Sequence, residues 1–432
     1  MYYIPYSDLR YLINNTLNQI IVINQNNNHW IRMSRELWDS ICLGNADLSV
    51  KDCETLIRHG IISNSKKEYL VYQRMMKSNE DIGYNVIFNI TDNCNLRCPY
   101  CFNESCSSKS LVIKKATDVI SDISSLKNLK VNTITISGGE PFLFKGTDLI
   151  SIIKESKKFA KRVGINTNGT IMPNEFEKIV KLCDTISVSL DGNNEDTNSA
   201  TRGKGNFQRT INFIEHVVGL GCSEKLWLSV TASKYNYKYV PRILEVAKKY
   251  KIDMGVNFIF EIGSAIDNVV DLRIPEEAER DMRKELFEYA AHIEYPEYPS
   301  KFYVSEIQLA KKTCANANML FIDGRYVYPC PGMKEERYKL GRINKLNECI
   351  NNPIRQKLLE LNSFDSYKYD KCKSCPVKFF CGGGCYAMKM TEERCEYYKK
   401  HLSFLLWDFD TGESLHDNMK KYGENQYDIQ VL

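Results

Sequence analysis

The sequence predicts an α/β protein: a partial (β/α)6 TIM-like barrel, preceded by a winged-helix-like α+β domain and followed by a cysteine-rich C-terminal domain. Three observations carry this. Six apolar, strand-like runs alternate with amphipathic helical stretches between residues 84 and 260. Before them, short strand and helix signals follow one another with turn residues between. After them, eight of the sixteen cysteines fall between Cys314 and Cys395.

The N-terminal unit, residues 1–82, opens with QIIVI and HWIRM, strands separated by the turn-rich NQNNN. Ser34 can N-cap a helix RELWDSI, with Glu36 favourable in its first turn. Ser49 and Asp52 resemble a capping box before ETLIR, and Gly60 can end that helix. IISNSKKEYLVY reads as a hairpin. In the central unit, residues 83–312, the strands are YNVIFNI, NTITIS, RVGINT, TISVSL, LWLSVT and MGVNFIF, with helical spacing between them as in DLISIIKESKKFAKR. Such alternation implies a parallel sheet, because each crossover returns through a helix. A complete barrel needs eight units and about 250 residues, so six units predict an open one. A charged helical stretch over 275–312 leads to the third unit, residues 313–432, whose tail from 400 is polar.

Composition narrows the function classes. The 58 Lys+Arg against 54 Asp+Glu give a net charge of +4, without a basic block or basic recognition helix. Neither a nucleic-acid partner nor an anionic membrane is expected. There is no apolar run long enough to span a bilayer and no signal-peptide pattern at MYYIPYSDLR, so a cytoplasmic protein is expected. In a reducing compartment, clustered thiols point to metal or redox chemistry rather than disulfides. Cys42, Cys53, Cys106, Cys183 and Cys222 are scattered and are expected to be small core hydrophobes.

Cys94, Cys98 and Cys101 lie in TDNCNLRCPYCFN, directly after the first barrel strand. The C-terminal ends of barrel strands carry active sites. A zinc site needs four ligands, and three thiolates leave it incomplete. An iron–sulfur cube with three protein thiolates keeps one iron open for another ligand. This CxxxCxxC, with Tyr100 before its last cysteine, resembles the signature of the radical S-adenosylmethionine (radical SAM) enzymes. The resemblance implies a [4Fe–4S] cluster on Cys94, Cys98 and Cys101, whose open iron is chelated by the methionine moiety of SAM. Reductive cleavage of SAM there yields a 5′-deoxyadenosyl radical that takes a hydrogen atom from a C–H bond. Other strand ends agree: Gly138-Gly139-Glu140 resembles the family's GGE, which meets the SAM amino group. Asn168 with Gly169 resembles its TNG. Ser189, Asp191 and Arg202 lie where relatives bind the methionine carboxylate. Asn198 stands where a histidine is often found. Tyr100, Gly138, Gly139, Glu140, Asn168, Ser189, Asp191 and Arg202 are therefore the expected cofactor contacts.

The array Cys372-x2-Cys375-x5-Cys381-x3-Cys385-x9-Cys395, with Cys314 and Cys330 upstream, resembles the SPASM extension of these enzymes, which binds two auxiliary [4Fe–4S] clusters. The resemblance assigns Cys372, Cys375, Cys381 and Cys395 to one cluster. Cys314, Cys330 and Cys385 would hold the other, leaving an open or non-cysteine site. Cys349 is expected to be a core thiol, the alternative being a fourth ligand there. A pair of zinc ribbons is the competing reading of the array.

SPASM proteins are dominated by peptide and protein maturases, and the N-terminal unit resembles the winged-helix element that recognises the leaders of ribosomally made peptides, where a strand adds to a sheet edge. The implied partners are a precursor peptide with its leader and an electron donor such as flavodoxin or ferredoxin. The implied product is a thioether, with a carbon–carbon or carbon–oxygen link as competitor. Formylglycine formation by a sulfatase-maturase-like enzyme is the second reading. Those enzymes carry an Asp where Pro331 stands.

Overall fold

The computed structural model describes residues 4–5, 9–24, 27, 29–63, 83–103, 115–260, 262–266, 272–293, 295, 318–361, 368–387, 390–410, 412–413, 415–421 and 428–431. Cys106, Glu261, Cys314 and most of the expected hairpin lie outside these residues.

Near the N-terminus, β1 (Ile4–Pro5), β2 (Leu9–Asn14), β3 (Gln19–Asn24), β4 (His29–Ser34) and β5 (Ile62–Ser63) surround two helices. The helix Arg35–Cys42 starts at Ser34, whose side chain accepts from Leu37 N. The helix Val50–Arg58 starts at Ser49, which accepts from Asp52 N. Both caps fall where the sequence places them. Ile41 and Trp38 take the core positions of the first helix, so Cys42, its last residue, is exposed rather than buried. The segment expected to form a hairpin begins with β5, which pairs antiparallel with β1.

The central strands are β6 (Tyr84–Asn89), β7 (Val131–Ser137), β8 (Ala160–Thr167), β9 (Thr185–Ser189), β10 (Leu226–Ala232) and β11 (Asp253–Phe258). They pair in sequence order and all in parallel, as the β-α alternation requires. Alternation along each strand separates two faces. Ile134, Ile136, Val163, Ile165, Ile186, Val188, Leu228 and Val230 are buried in the core with residues of the outer helices. Thr133, Thr135, Ser137, Ser187, Ser189, Ser229 and Thr231 take the opposite parity. Cross-strand hydrogen bonds from Asn166 to Ser137 (3.4 Å) and from Asn257 to Ser229 (3.0 Å) lie on that polar inner face.

The sheet runs on past β6. β12 (Met319–Asp323) adds in parallel to β6, and β13 (Tyr326–Tyr328) and β14 (Gly341–Arg342) follow antiparallel. The last strand, β15 (Ile429–Val431), pairs with β2, giving the N-terminal sheet the order β15-β2-β3-β4. Its two faces are both covered. Leu9, Ile13, Ile20 and Val22 pack on Trp38, Ile41 and Leu56 of the N-terminal helices. Leu12, Ile21 and Ile23 pack on Phe379, Phe380 and the run Leu402–Phe409 of the C-terminal part. Phe404–Asp408 is a π-helical turn, and Arg32 of β4 donates to the Leu406 carbonyl (2.8 Å) that lies within it.

Candidate functional site

The loop carrying Cys94, Cys98 and Cys101 is held from several strand exits. Asn89, at the end of β6, donates through Nδ2 toward Asp92 (3.1 Å) and Asn103 (3.3 Å), which flank the cysteines, and toward Asp323 of β12 (2.6 Å). Gly139 N donates to Thr91 O (2.6 Å) and Glu140 N to Asn93 O (2.7 Å), so the β7 exit runs alongside the start of the loop. The two glycines permit this approach: a Cβ on Gly138 would lie 2.4 Å from Thr91 O, and one on Gly139 would lie 2.1 Å from Asn93 O. From the β8 exit, Asn168 Nδ2 donates to Asn95 Oδ1 (2.9 Å) and to the Cys94 sulfur (3.8 Å). From the β11 exit, Ser264 N donates to Cys101 O (2.9 Å). Asn89, Asp323 and Ser264 were not singled out from the sequence; their positions at strand exits were the available signal.

The Cys94, Cys98 and Cys101 thiols lie close enough to interact electrostatically. Burial pushes Cys94 up to about 11, and Glu140 and Cys101 act in the same direction. Burial pushes Cys98 up to about 12; Arg202 opposes this, while Asp191, Cys101 and Cys94 reinforce it. Metal coordination must therefore displace protons here. Among the described residues, no three His, Cys, Asp or Glu side chains converge on a single ion.

Glu140 and Asp191 both spend their carboxylates internally. Glu140 accepts from Phe142 N (3.0 Å), Thr167 Oγ1 (2.8 Å) and Asn168 N (2.7 Å), bolting the β7 exit to the β8 exit. Asp191 accepts from Arg202 Nε (2.8 Å), Thr201 Oγ1 (3.0 Å), Thr231 N (2.8 Å) and the Tyr100 hydroxyl. Burial opposes the Arg202 charge, but Asp191, Tyr100 and Cys98 outweigh it and hold the guanidinium above its ordinary range. The expected contacts Tyr100, Asp191 and Arg202 thus form one buried network beside Cys98. Ser189 sits half-buried at the end of β9, on the polar face.

Buried polar atoms at this end of the barrel that have no hydrogen-bond partner among the described residues include Asn93 Oδ1, an acceptor, and Asn103 Nδ2 and Asn198 Nδ2, both donors. An amino acid moiety presents an ammonium and a carboxylate, which suit an acceptor and a donor respectively. Three thiols outside any disulfide, a nearby guanidinium, and the orphan Asn93 Oδ1 and Asn198 Nδ2 fit a cluster with SAM on its open iron.

In the C-terminal part, the thiols of Cys372, Cys375, Cys381 and Cys395 interact in all six pairings. Burial pushes Cys381 up to about 11. Cys330 and Cys385 do not enter this group. The Cys349 thiol is fully buried and contacts Arg342 O (3.4 Å), in keeping with a core role.

Residues 88–247 match the Radical SAM superfamily. The chain is 26% identical over 337 residues to the antilisterial bacteriocin subtilosin biosynthesis protein AlbA of Bacillus subtilis, covering 73% of this chain and 69% of AlbA. It is 24% identical over 319 residues to the mycofactocin maturase MftC of Mycolicibacterium smegmatis, covering 70% and 78%. The fold is similar to Streptococcus suis SuiB bound to precursor peptide SuiA, with a TM-score of 0.56 at 16% identity over 89% of this chain and 96% of that one. SuiB has also been solved bound to S-adenosylmethionine.

Proposed function

Because this chain is a radical SAM enzyme, we propose that it modifies a ribosomally made precursor peptide and most readily forms a thioether from a Cys sulfur to carbon. The observation that carries the reading is the group of three neighbouring thiols in the loop after β6, held from the β7, β8, β9 and β11 exits. AlbA, named for biosynthesis of the bacteriocin subtilosin, MftC, named a mycofactocin maturase, and SuiB, solved bound to precursor peptide SuiA, support a peptide substrate.

Cys94, Cys98 and Cys101 would hold the [4Fe–4S] cluster. When bound, cluster and SAM together supply a hydrogen-atom abstractor at the 5′ carbon of the deoxyadenosyl group. The chain's own residues prepare that site. Leu96 N (3.4 Å) and Asn168 Nδ2 (3.8 Å) donate to the Cys94 sulfur and favour its thiolate. Arg202, anchored by Asp191, places positive charge beside Cys98 and, with Ser189 and Asn198, would receive the SAM carboxylate. The Gly138–Glu140 backbone and Asn93 Oδ1 would receive its ammonium. Tyr100 links the cysteine loop to Asp191.

In the same reading, residues 83–312 form the catalytic unit and 313–432 the SPASM unit. Cys372, Cys375, Cys381 and Cys395 hold one auxiliary [4Fe–4S] cluster. Cys314, Cys330 and Cys385 hold the other, whose open site could take a substrate thiolate. Residues 1–82 bind the leader at the β4 edge of their sheet, since β15 already occupies the β2 edge. A flavodoxin or ferredoxin supplies electrons, and the reducing cytoplasm keeps the thiols free.

Replacing Cys94, Cys98 and Cys101 together with Ala should abolish reductive formation of methionine and 5′-deoxyadenosine while leaving the iron of the other cysteines. Retained SAM cleavage, or zinc in place of iron, overturns the assignment. A modified peptide two hydrogens lighter whose cysteine resists iodoacetamide is a thioether; one whose cysteine still alkylates carries another link.

A further inference from the structure

One loop touches both cysteine regions. Leaving β11, it passes Phe260 and reaches Gly263 and Ser264, which lie against the carbonyls of Cys101 and Phe102. Gly263 has φ +60°, and a Cβ there would sit 2.5 Å from Cys101 O and 2.6 Å from Phe102 O, so this contact is backbone on backbone. At its other end, the Phe260 ring borders Gly332: a Cβ on Gly332 would be 3.7 Å from Phe260 Cδ1, 3.8 Å from the Cys330 sulfur and 2.9 Å from Ala387 Cβ. Phe260 and the Cys330 sulfur therefore both border Gly332, and the segment that carries Phe260 also abuts Cys101.

Phe260 is 37% exposed, against the rule that a large aromatic ring is covered. A single exposed ring is ordinary. This one is not isolated. Leu143, Met172, Tyr235, Tyr239 and Ile266 are also large and exposed, and they follow the C-terminal ends of β7, β8, β10 and β11. The loops after four of the strand ends thus expose apolar side chains, and Phe260 borders the segment that carries Cys330. Gly332 packs closely on Ala387, so the apolar surface offered there is the exposed face of the Phe260 ring.

We infer that Phe260 is a specificity-determining residue, selecting a peptide whose residue delivered between the two cysteine regions has a bulky apolar side chain. This rests on the peptide-maturase reading. A charged side chain laid on the Phe260 ring would lose hydration, and the ring offers it no hydrogen-bond acceptor or donor in return. An apolar one buries area at no such cost.

The test uses the full chain, anaerobically loaded with iron and sulfide, with SAM and dithionite. The probes are synthetic acetyl-Gly-X-Gly-Cys-Gly amides in which X is perdeuterated Leu or perdeuterated Asp. Deuterium carried into 5′-deoxyadenosine is read by mass spectrometry. A ratio within one protein cancels differences in overall rate. The native protein should favour Leu by about tenfold or more. Phe260→Ala should bring the ratio toward one, Phe260→Lys should turn it toward Asp, and Phe260→Leu should keep it. Equal use of both peptides by the native protein, or the same ratio in Phe260→Ala and Phe260→Lys as in the native protein, overturns the role of Phe260 and leaves the maturase reading standing. 5′-Deoxyadenosine free of deuterium from both peptides, with SAM still cleaved, overturns the role of Phe260 and leaves the maturase reading, which assigns recruitment to a leader these peptides lack, to the triple-cysteine test.

Discussion

Both oxygens of Glu140 face donors that cannot turn away. Phe142 N meets one at 3.0 Å and Asn168 N meets the other at 2.7 Å. Glutamine could accept from only one of these and would point its own N–H at the other, so Glu140→Gln should cost about 1–3 kcal/mol. Burial also pushes the Glu140 carboxyl up to about 7 from its ordinary 4.5. A carboxyl that binds its proton more tightly in the folded chain adds stability that is complete below the ordinary value and is lost as pH rises through the folded one. The advantage of the native chain over Glu140→Gln in urea unfolding should therefore be larger near pH 5 than near pH 8. A difference that does not vary with pH would refute the burial argument. The sequence places Glu140 and Asp191 at strand ends among expected cofactor contacts. It does not reveal that their carboxylates are taken by Thr167, Asn168, Tyr100 and Thr231, because those partners meet them only when neighbouring strands pair.

At the scale of elements, what was legible followed from periodicity. NTITIS, TISVSL and LWLSVT alternate apolar and small polar residues, and a parallel sheet with one face on helices and the other on a polar interior sorts them that way. The helix expected to run through FAKR stops at Phe159, because Ala160–Arg162 pair with β7. β12 was not legible: Leu320, Phe321 and Ile322 are all buried, and a short uniformly apolar run has no period to read. β15 has three residues and owes its form to β2. The cysteine loop is an element of a third kind, irregular and held by its neighbours beyond a few hydrogen bonds of its own. Gly139→Ala tests this. The added Cβ would meet backbone, Asn93 O, which cannot rotate aside, so the loop must shift. Iron held by Cys94, Cys98 and Cys101 should be lost or its reduced EPR signal altered, with the remaining iron kept. Gly219→Ala, at the end of the helix Asn206–Gly219 with open space around it, should change neither. Equal behaviour of the two variants would show that the loop does not depend on this contact.

For the whole molecule, the N-terminal sheet does more than cap the chain. Leu12, Ile21 and Ile23 belong to the same buried cluster as Cys375, Val377, Phe379 and Phe380, with Cys381 packed against it. Trp30 of β4 meets Phe380, the residue before Cys381, edge-on at 5.4 Å. Arg32 fastens β4 to Leu406, and β15 returns from the far end of the chain to complete the sheet. An N-terminal sheet that merely hung from the rest of the chain could be deleted without harm; this one packs into the cluster that holds Cys375 and borders Cys381. Removing residues 1–63 would expose that apolar surface and let water reach the four-cysteine group. The deletion should therefore lower the iron held by Cys372, Cys375, Cys381 and Cys395, measured against a chain lacking Cys94, Cys98 and Cys101, and it should aggregate more readily. Removing only 428–432 uncovers the β2 edge but leaves Leu12, Ile21 and Ile23 in place, so that iron should remain while the N-terminal sheet exchanges its amide hydrogens faster. If the 1–63 deletion keeps full iron at the four cysteines, the sheet is a detachable unit and its contact with them carries no stability.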